Sequence, residues 1–284
     1  MTKKNRSKFS VKKINKVINN KGFVIIKNIF SKKYCENLKK EIFLLKNDLK
    51  NNPYFKDEGS SKGQFVLRDL VLRNPNIFLR VVSNKFLVTV IESIFRDKFI
   101  LDNIMASDSL NVKEKFSRKV HIDSQLPMRG VELATDVIIM ICLDPFKKNN
   151  GATKLWPKSH LSGIRIHHSP NKLINKINNY QYLEAPQGSV AFILGQTWHQ
   201  VGKNDSNETR MSIFLHYKRW WMKSSTDFTK CGKKIFNLLN NKQKELFGFN
   251  CISPSFNFKK KIKEVYTLRD IKKVSKNYFR SLKH

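Results

Sequence analysis

The texture of residues 99–222 constrains the fold most, because short β-type runs there alternate with turn residues. The runs are FILDNIMASD, KVHIDS, ELATDVIIMICLD, ATKLWP, GSVAFIL and RMSIFLHYKRWW. Short strands separated in this way predict a β-barrel or sandwich. Ahead of them, residues 1–20 are polar and basic, with Val11, Ile14, Val17 and Ile18 at the spacing of a short surface helix. GFVIIKNIF (22–30) reads as a strand, and Ser31 is placed to cap the helix after it. In that helix Tyr34, Leu38, Ile42, Leu45 and Leu49 form one apolar stripe. Residues 51–64 read as a loop, and helical segments are expected near 75–83 and 84–96. Past about residue 229 the chain becomes Lys-rich and helical in character. Helices, then a β core, then helices is not the alternation of a parallel α/β sheet. The expected organisation is a basic extension over 1–20, one mainly β domain with flanking helices over 21–228, and a basic, mostly helical cover over 229–284.

The 284 residues are 40% hydrophobic, which is enough for a real core. A formal net charge of +33 admits a polyanionic partner, such as nucleic acid or an anionic membrane surface. The excess is mainly Lys, spread from end to end among abundant Asn, Ile and Phe, which fits compositional drift better. No aromatic run of the RNA-binding kind and no zinc-finger spacing points to nucleic acid. Cys35, Cys142, Cys231 and Cys251 form no CxxC pair, so neither a zinc site nor a disulfide framework is expected. Reduced thiols in a cytoplasmic protein are the default. The opening residues lack the apolar centre of a secretory signal, and no apolar run is long enough to span a bilayer.

Chemistry enters with His121 and Asp123, two apart in KVHIDS. On a strand such residues share one face, so an imidazole and a carboxylate would stand side by side. His199, in TWHQVG, is the best candidate for a third ligand. Two His and one carboxylate on one side of a metal suit non-haem Fe(II) and leave the other side open. HxD alone is weak evidence, since a lone His is more often a satisfied core or surface residue. Arg210 lies one turn and one return strand beyond His199. It can hold a dicarboxylate by a two-pronged contact, or simply pair with Glu208 or Asp205. Ser212, on the same face as Arg210, can add a hydroxyl contact or fill a core position. His216 shares that spacing and can face the same pocket, although packing is the commoner fate of such a residue.

His121-x-Asp123, His199 and Arg210 at this spacing resemble the phytanoyl-CoA dioxygenase family of Fe(II)- and 2-oxoglutarate-dependent oxygenases. NNGATKLWPKSH (149–160) and GSVAFILGQTWHQVGKNDSNETRMSIFLHY resemble its other conserved stretches, and GFVIIKNIFSKKYCENLKKEI is similar to its first strand and helix. The resemblance covers roughly residues 20 to 222. It implies a double-stranded β-helix, a jelly-roll or cupin-like barrel with flanking helices. It also implies that His121, Asp123 and His199 ligate Fe(II), that 2-oxoglutarate chelates the metal, and that Arg210 holds its far carboxylate. Thr153 resembles a position that also touches the co-substrate. The implied reaction uses O2, releases succinate and CO2, and hydroxylates an unactivated C–H bond, with ascorbate as a supporting reductant. Asp123 matters here, because related halogenases lack this carboxylate. The implied substrate is a small or carrier-linked metabolite. A noncatalytic jelly roll that binds an anionic or carbohydrate ligand is the alternative.

Two positions depart from the family pattern. Lys158 replaces the usual glycine in PKSH, and FRDKFIL lacks a glycine before the first long β run. Both lie away from the proposed ligands. His160 is expected to brace its loop through its ring nitrogens. Trp220 and Trp221 are expected to pack at the core or rim, and Gln125, just past the HxD pair, is positioned to contact substrate.

Overall fold

The computed structural model describes residues 10–50, 64–109, 119–126, 128–166 and 177–249. These belong to one unit, Met1–Phe249. Residues 250–284 form a second unit, which lies outside the described residues together with Cys251.

Six strands build the larger sheet in the order β1-β7-β4-β9-β3-β2, with every neighbouring pair antiparallel. They are β1 (Phe23–Ile26), β2 (Gln64–Leu67), β3 (Phe99–Ser109), β4 (Asp136–Cys142), β7 (Val190–Leu194) and β9 (Arg210–Arg219). A smaller antiparallel sheet, β6-β5-β8, comprises β5 (Lys154–Leu155), β6 (Gln181–Tyr182) and β8 (His199–Gln200). Four of the five neighbouring pairs in the larger sheet are non-consecutive, only β2 and β3 being adjacent in sequence, which gives jelly-roll connectivity as expected from the family resemblance.

Side-chain alternation divides the interior into two layers. On β4 and β9, Val137, Ile139, Ile141, Met211, Ile213, Leu215 and Tyr217 enter a core shared with the helices. Ile138, Met140, Cys142 and Phe214 face the other way, toward Leu155, Leu183 and Phe146 near the smaller sheet. Covered on both faces, β4 is buried at every position. That explains why VIIMIC shows no polar alternation.

The helices are α1 (Val11–Lys21), α2 (Lys32–Lys50), α3 (Leu70–Arg73), α4 (Pro75–Val82) and α5 (Lys85–Phe95). α6 (Gly232–Leu238) and α7 (Asn241–Leu246) follow the sheets. α1 is more than a surface appendage, since Ile14 and Ile18 are buried in the main core. Ser31 caps α2, its Oγ accepting from the Tyr34 N–H at 3.2 Å. Cys35, Leu38 and Ile42 of α2 are buried, whereas the Leu49 side chain lies outside the described residues. α4 and α5 fall where expected, but α3 and β2 were not foreseen. Leu246 and Phe247, at the end of α7, close the far side of the core. Cys35 and Cys142 are buried free thiols. No described helix is long and apolar enough to cross a membrane.

Candidate active site

KVHIDS is not a regular strand, contrary to expectation. Only His121 makes a β-bridge, pairing with His199 through N–H···O bonds of 3.0 Å in both directions. The segment then bends, because the Asp123 and Ser124 N–H groups both donate to the Gly195 carbonyl. Alternation survives the bend. Val120 and Ile122 bury against Trp156, Trp198 and Ile166, which leaves His121 and Asp123 on the opposite side. Gly195 is required at the pivot, since a Cβ there would overlap the Asp136 carboxylate. Asp136 is itself held by the Ser124 Oγ at 2.7 Å.

His121, Asp123 and His199 meet at one point, with one ligand atom from each lying within 4.8 Å of the others. Asp123 Oδ2 is 3.3 Å from His199 Nε2, and Oδ1 is 3.7 Å from His121 Nε2. His121 Nδ1 lies 3.1 Å from the Lys119 carbonyl and His199 Nδ1 lies 3.0 Å from the Thr197 carbonyl. A carbonyl only accepts, so each Nδ1 carries the hydrogen and each neutral ring keeps its lone pair on Nε2. Two such lone pairs beside a carboxylate repel unless a cation lies among them. Protons supply it in part. Burial opposes the ionised form of Asp123, yet His199 and His216 hold its carboxyl well below the usual range. Burial likewise opposes the imidazolium of His199, but Asp123 raises its pKa. A divalent metal ion meets the same demand, and the donor set suits Fe(II).

These three residues line a cavity of about 200 Å3 together with Thr153, Met105, Ser107, Ile138, Met140, Ile193, Phe214 and His216. Thr153 lines the same cavity as the three candidate ligands. His216 was expected to pack, yet its Nε2 lies 3.5 Å from Asp123 Oδ2. Its even spacing from Arg210 along β9 was the available signal. Asp102 was missed altogether, although a lone acid inside an apolar run was a visible cue. Its Oδ2 lies 3.5 Å from His216 Nδ1.

Arg210 and Ser212 begin β9 on the same face as Phe214 and His216 but do not line that cavity. Arg210 is 2% exposed, with its guanidinium 4.1 Å from the centre of the Phe146 ring. Its Nε and Nη1 are buried without a hydrogen-bond partner among the described residues. Pairing with Glu208 or Asp205 is therefore not its role, and Asp205 pairs with Lys203 instead. Two orphaned donors on a buried cation fit a carboxylate ligand. The buried Ser212 hydroxyl donates to the Ser107 carbonyl at 3.3 Å. His160 braces its loop through the Asn19 carbonyl, as expected. Gln125 and Trp221 are exposed, and His167 and His168 lie outside the described residues.

The family model for phytanoyl-CoA dioxygenase (PhyH) matches residues 18–212. The chain belongs to the phytanoyl-CoA dioxygenase family. Among similar proteins, the uncharacterized protein Mb1539 of Mycobacterium bovis is 25% identical over 173 residues. That match covers 58% of this chain and 59% of Mb1539, so the chain spans under two thirds of that relative. The dioxygenase cdmA of Talaromyces verruculosus is 21% identical over 206 residues, 68% of each chain. HygX of Streptomyces hygroscopicus, solved with nickel and 2-oxoglutarate bound, shares the fold. It superposes with a TM-score of 0.60 at 13% identity, covering 75% of this chain and 88% of HygX.

Proposed function

We propose that this member of the PhyH family is an Fe(II)- and 2-oxoglutarate-dependent dioxygenase. In this reading it hydroxylates an unactivated C–H bond of a small or carrier-linked metabolite, with release of succinate and CO2. The observation that carries the reading is the pair of Nδ1-anchored imidazoles that meet one carboxylate at the cavity. His121, Asp123 and His199 would hold the iron, and Arg210 would bind the far carboxylate of 2-oxoglutarate. Thr153 lines the same cavity and would touch the co-substrate. When bound, iron supplies the oxygen activation that side chains cannot.

The chain's own residues bind, orient and exclude water. The backbone exchange between His121 and His199 fixes both rings before any metal arrives. Met140, Ile193 and Phe214 keep the cavity walls apolar. The carboxylate at position 123 fills the place that halogenases leave for a halide, which favours hydroxylation. The orphaned nitrogens of Arg210 would serve an anion-binding role equally, but a noncatalytic binder of an anionic or carbohydrate ligand gains nothing from the His–Asp–His donor set.

Purified protein supplied with Fe(II), ascorbate and 2-oxoglutarate is expected to release succinate slowly without substrate, and His199→Ala is expected to abolish that release while remaining folded. No succinate from the wild-type chain, or undiminished release from the variant, would count against the reading.

A further inference from the structure

We propose that His216 is a positioning residue for Asp123, fixing that carboxylate from a buried anchor at Asp102 and so setting how tightly the site holds a divalent metal ion. The inference rests on the metal-site reading above and extends it to a residue outside the ligand set. His216 is not in the group whose ligand atoms converge, so its influence runs through Asp123. The imidazole stands between two acids, with Nδ1 3.5 Å from Asp102 Oδ2 and Nε2 3.5 Å from Asp123 Oδ2. Each ring nitrogen can serve one carboxylate.

The far acid is immobilised. Lys218 Nζ lies 2.9 Å from Asp102 Oδ1, the Ser225 N–H donates to the same oxygen, and Asn103 Nδ2 donates to Oδ2 at 3.0 Å. Asp102 is 2% exposed. A buried carboxylate with that many donors is a rigid post. The backbone is shaped to supply it. The β3–β9 register shifts between Leu101 and Asn103, so the extra residue of a bulge is Asp102. Bulges of this kind re-aim side chains beside functional sites. Here the bulge sets Asp102 and Asn103 opposite His216, while Leu101 and Ile104 on either side still enter the helix-facing core. Pairing with Lys218 alone would not need a carboxylate oxygen turned toward His216, whereas orientation of Asp123 would. Partners that hold a metal-ligating side chain typically change metal affinity by about 10–100-fold when removed.

The test is Co(II) titration of the full apo chain by calorimetry, with thermal melting of each apo variant alongside. In His216→Gln the side-chain nitrogen takes the place of Nε2 and still reaches Asp123. In His216→Asn it takes the place of Nδ1 and reaches only Asp102. Gln is expected to stay within about threefold of wild type, whereas Asn and His216→Phe lose about 10–100-fold, with Gln and Asn melting alike in the apo form and Phe, which leaves buried Asp102 short of a donor, melting lower. Asn binding as tightly as Gln, or every variant binding like wild type, would overturn the proposal. If His216→Phe fails to fold, the Gln and Asn pair decides. A wild-type chain that binds no Co(II) would sink the metal-site reading and this inference together. Tight wild-type binding with indifferent variants would sink the inference alone.

Discussion

Asp123 carries three contacts at once, from His121, His199 and His216. Against the cost of burial, His199 and His216 hold its carboxyl well below the usual range, which suits the proposed cation site. Arg210 is the complementary case, a buried cation whose Nε and Nη1 have no hydrogen-bond partner among the described residues. Burial pushes its pKa down to about 10, still above neutrality, so it remains charged for a carboxylate ligand. Losing a charge-assisted hydrogen bond costs about 1.5–3 kcal/mol, or roughly ten- to a hundredfold in affinity. Arg210→Ala is therefore expected to raise the Michaelis constant for 2-oxoglutarate by that factor, and an unchanged constant in a succinate assay would remove Arg210 from the co-substrate site. Asp102 makes a prediction about pH. Burial works to raise its pKa, but His216, Lys218 and the Ser225 N–H together lower it. A depressed carboxyl stabilises the fold above its unfolded pKa, near 3.9, and the benefit fades as pH falls toward the folded value. Melting temperature is expected to drop more steeply below about pH 4 in wild type than in Asp102→Asn. Parallel curves would reject this.

At the scale of elements, the sequence was most legible where one period dominated. The β9 run, the α2 stripe and the Ser31 cap needed only local patterning. HxD was legible as chemistry but not as structure. A single bridge and two bonds to the Gly195 carbonyl replace a strand, and that long-range pairing leaves no periodic trace. His216 and Asp102 became partners only through a bulge, and a register shift is set by tertiary packing rather than by residue type. The two missing family glycines have a physical consequence. Lys158 adopts φ 66° and Arg96 φ 51°, so both hold the left-handed backbone that glycine would take freely. Relief of left-handed strain, about 1–2 kcal/mol, exceeds the added entropy of an unfolded glycine, about 0.4–1 kcal/mol. Lys158→Gly is expected to stabilise the chain by about 0.5–1 kcal/mol in denaturant unfolding. A loss of stability would mean that the Lys158 side chain makes a compensating contact.

The described residues of the first unit form a six-stranded sheet with helices on one face and a small sheet on the other, and the candidate site lies on the small-sheet side. The short β runs separated by turns were enough to predict a barrel or sandwich, and the family resemblance sharpened that to a jelly roll. The substrate was never legible, because a jelly roll specifies where a ligand sits and not which ligand it is. The role of α1 was also hidden, since its basic surface masks the burial of Ile14 and Ile18. What unites these scales is the proposal that one fold carries a metal triad, His121, Asp123 and His199, and a carboxylate-binding arginine, Arg210. Anaerobic titration of the apo chain with Fe(II) and then 2-oxoglutarate, followed by absorbance, tests this most directly. Saturable one-to-one binding of each is expected, with an absorption band that needs both, disappears in His199→Ala and shifts to higher 2-oxoglutarate concentration in Arg210→Ala. Binding of neither, or a band indifferent to both substitutions, would contradict it.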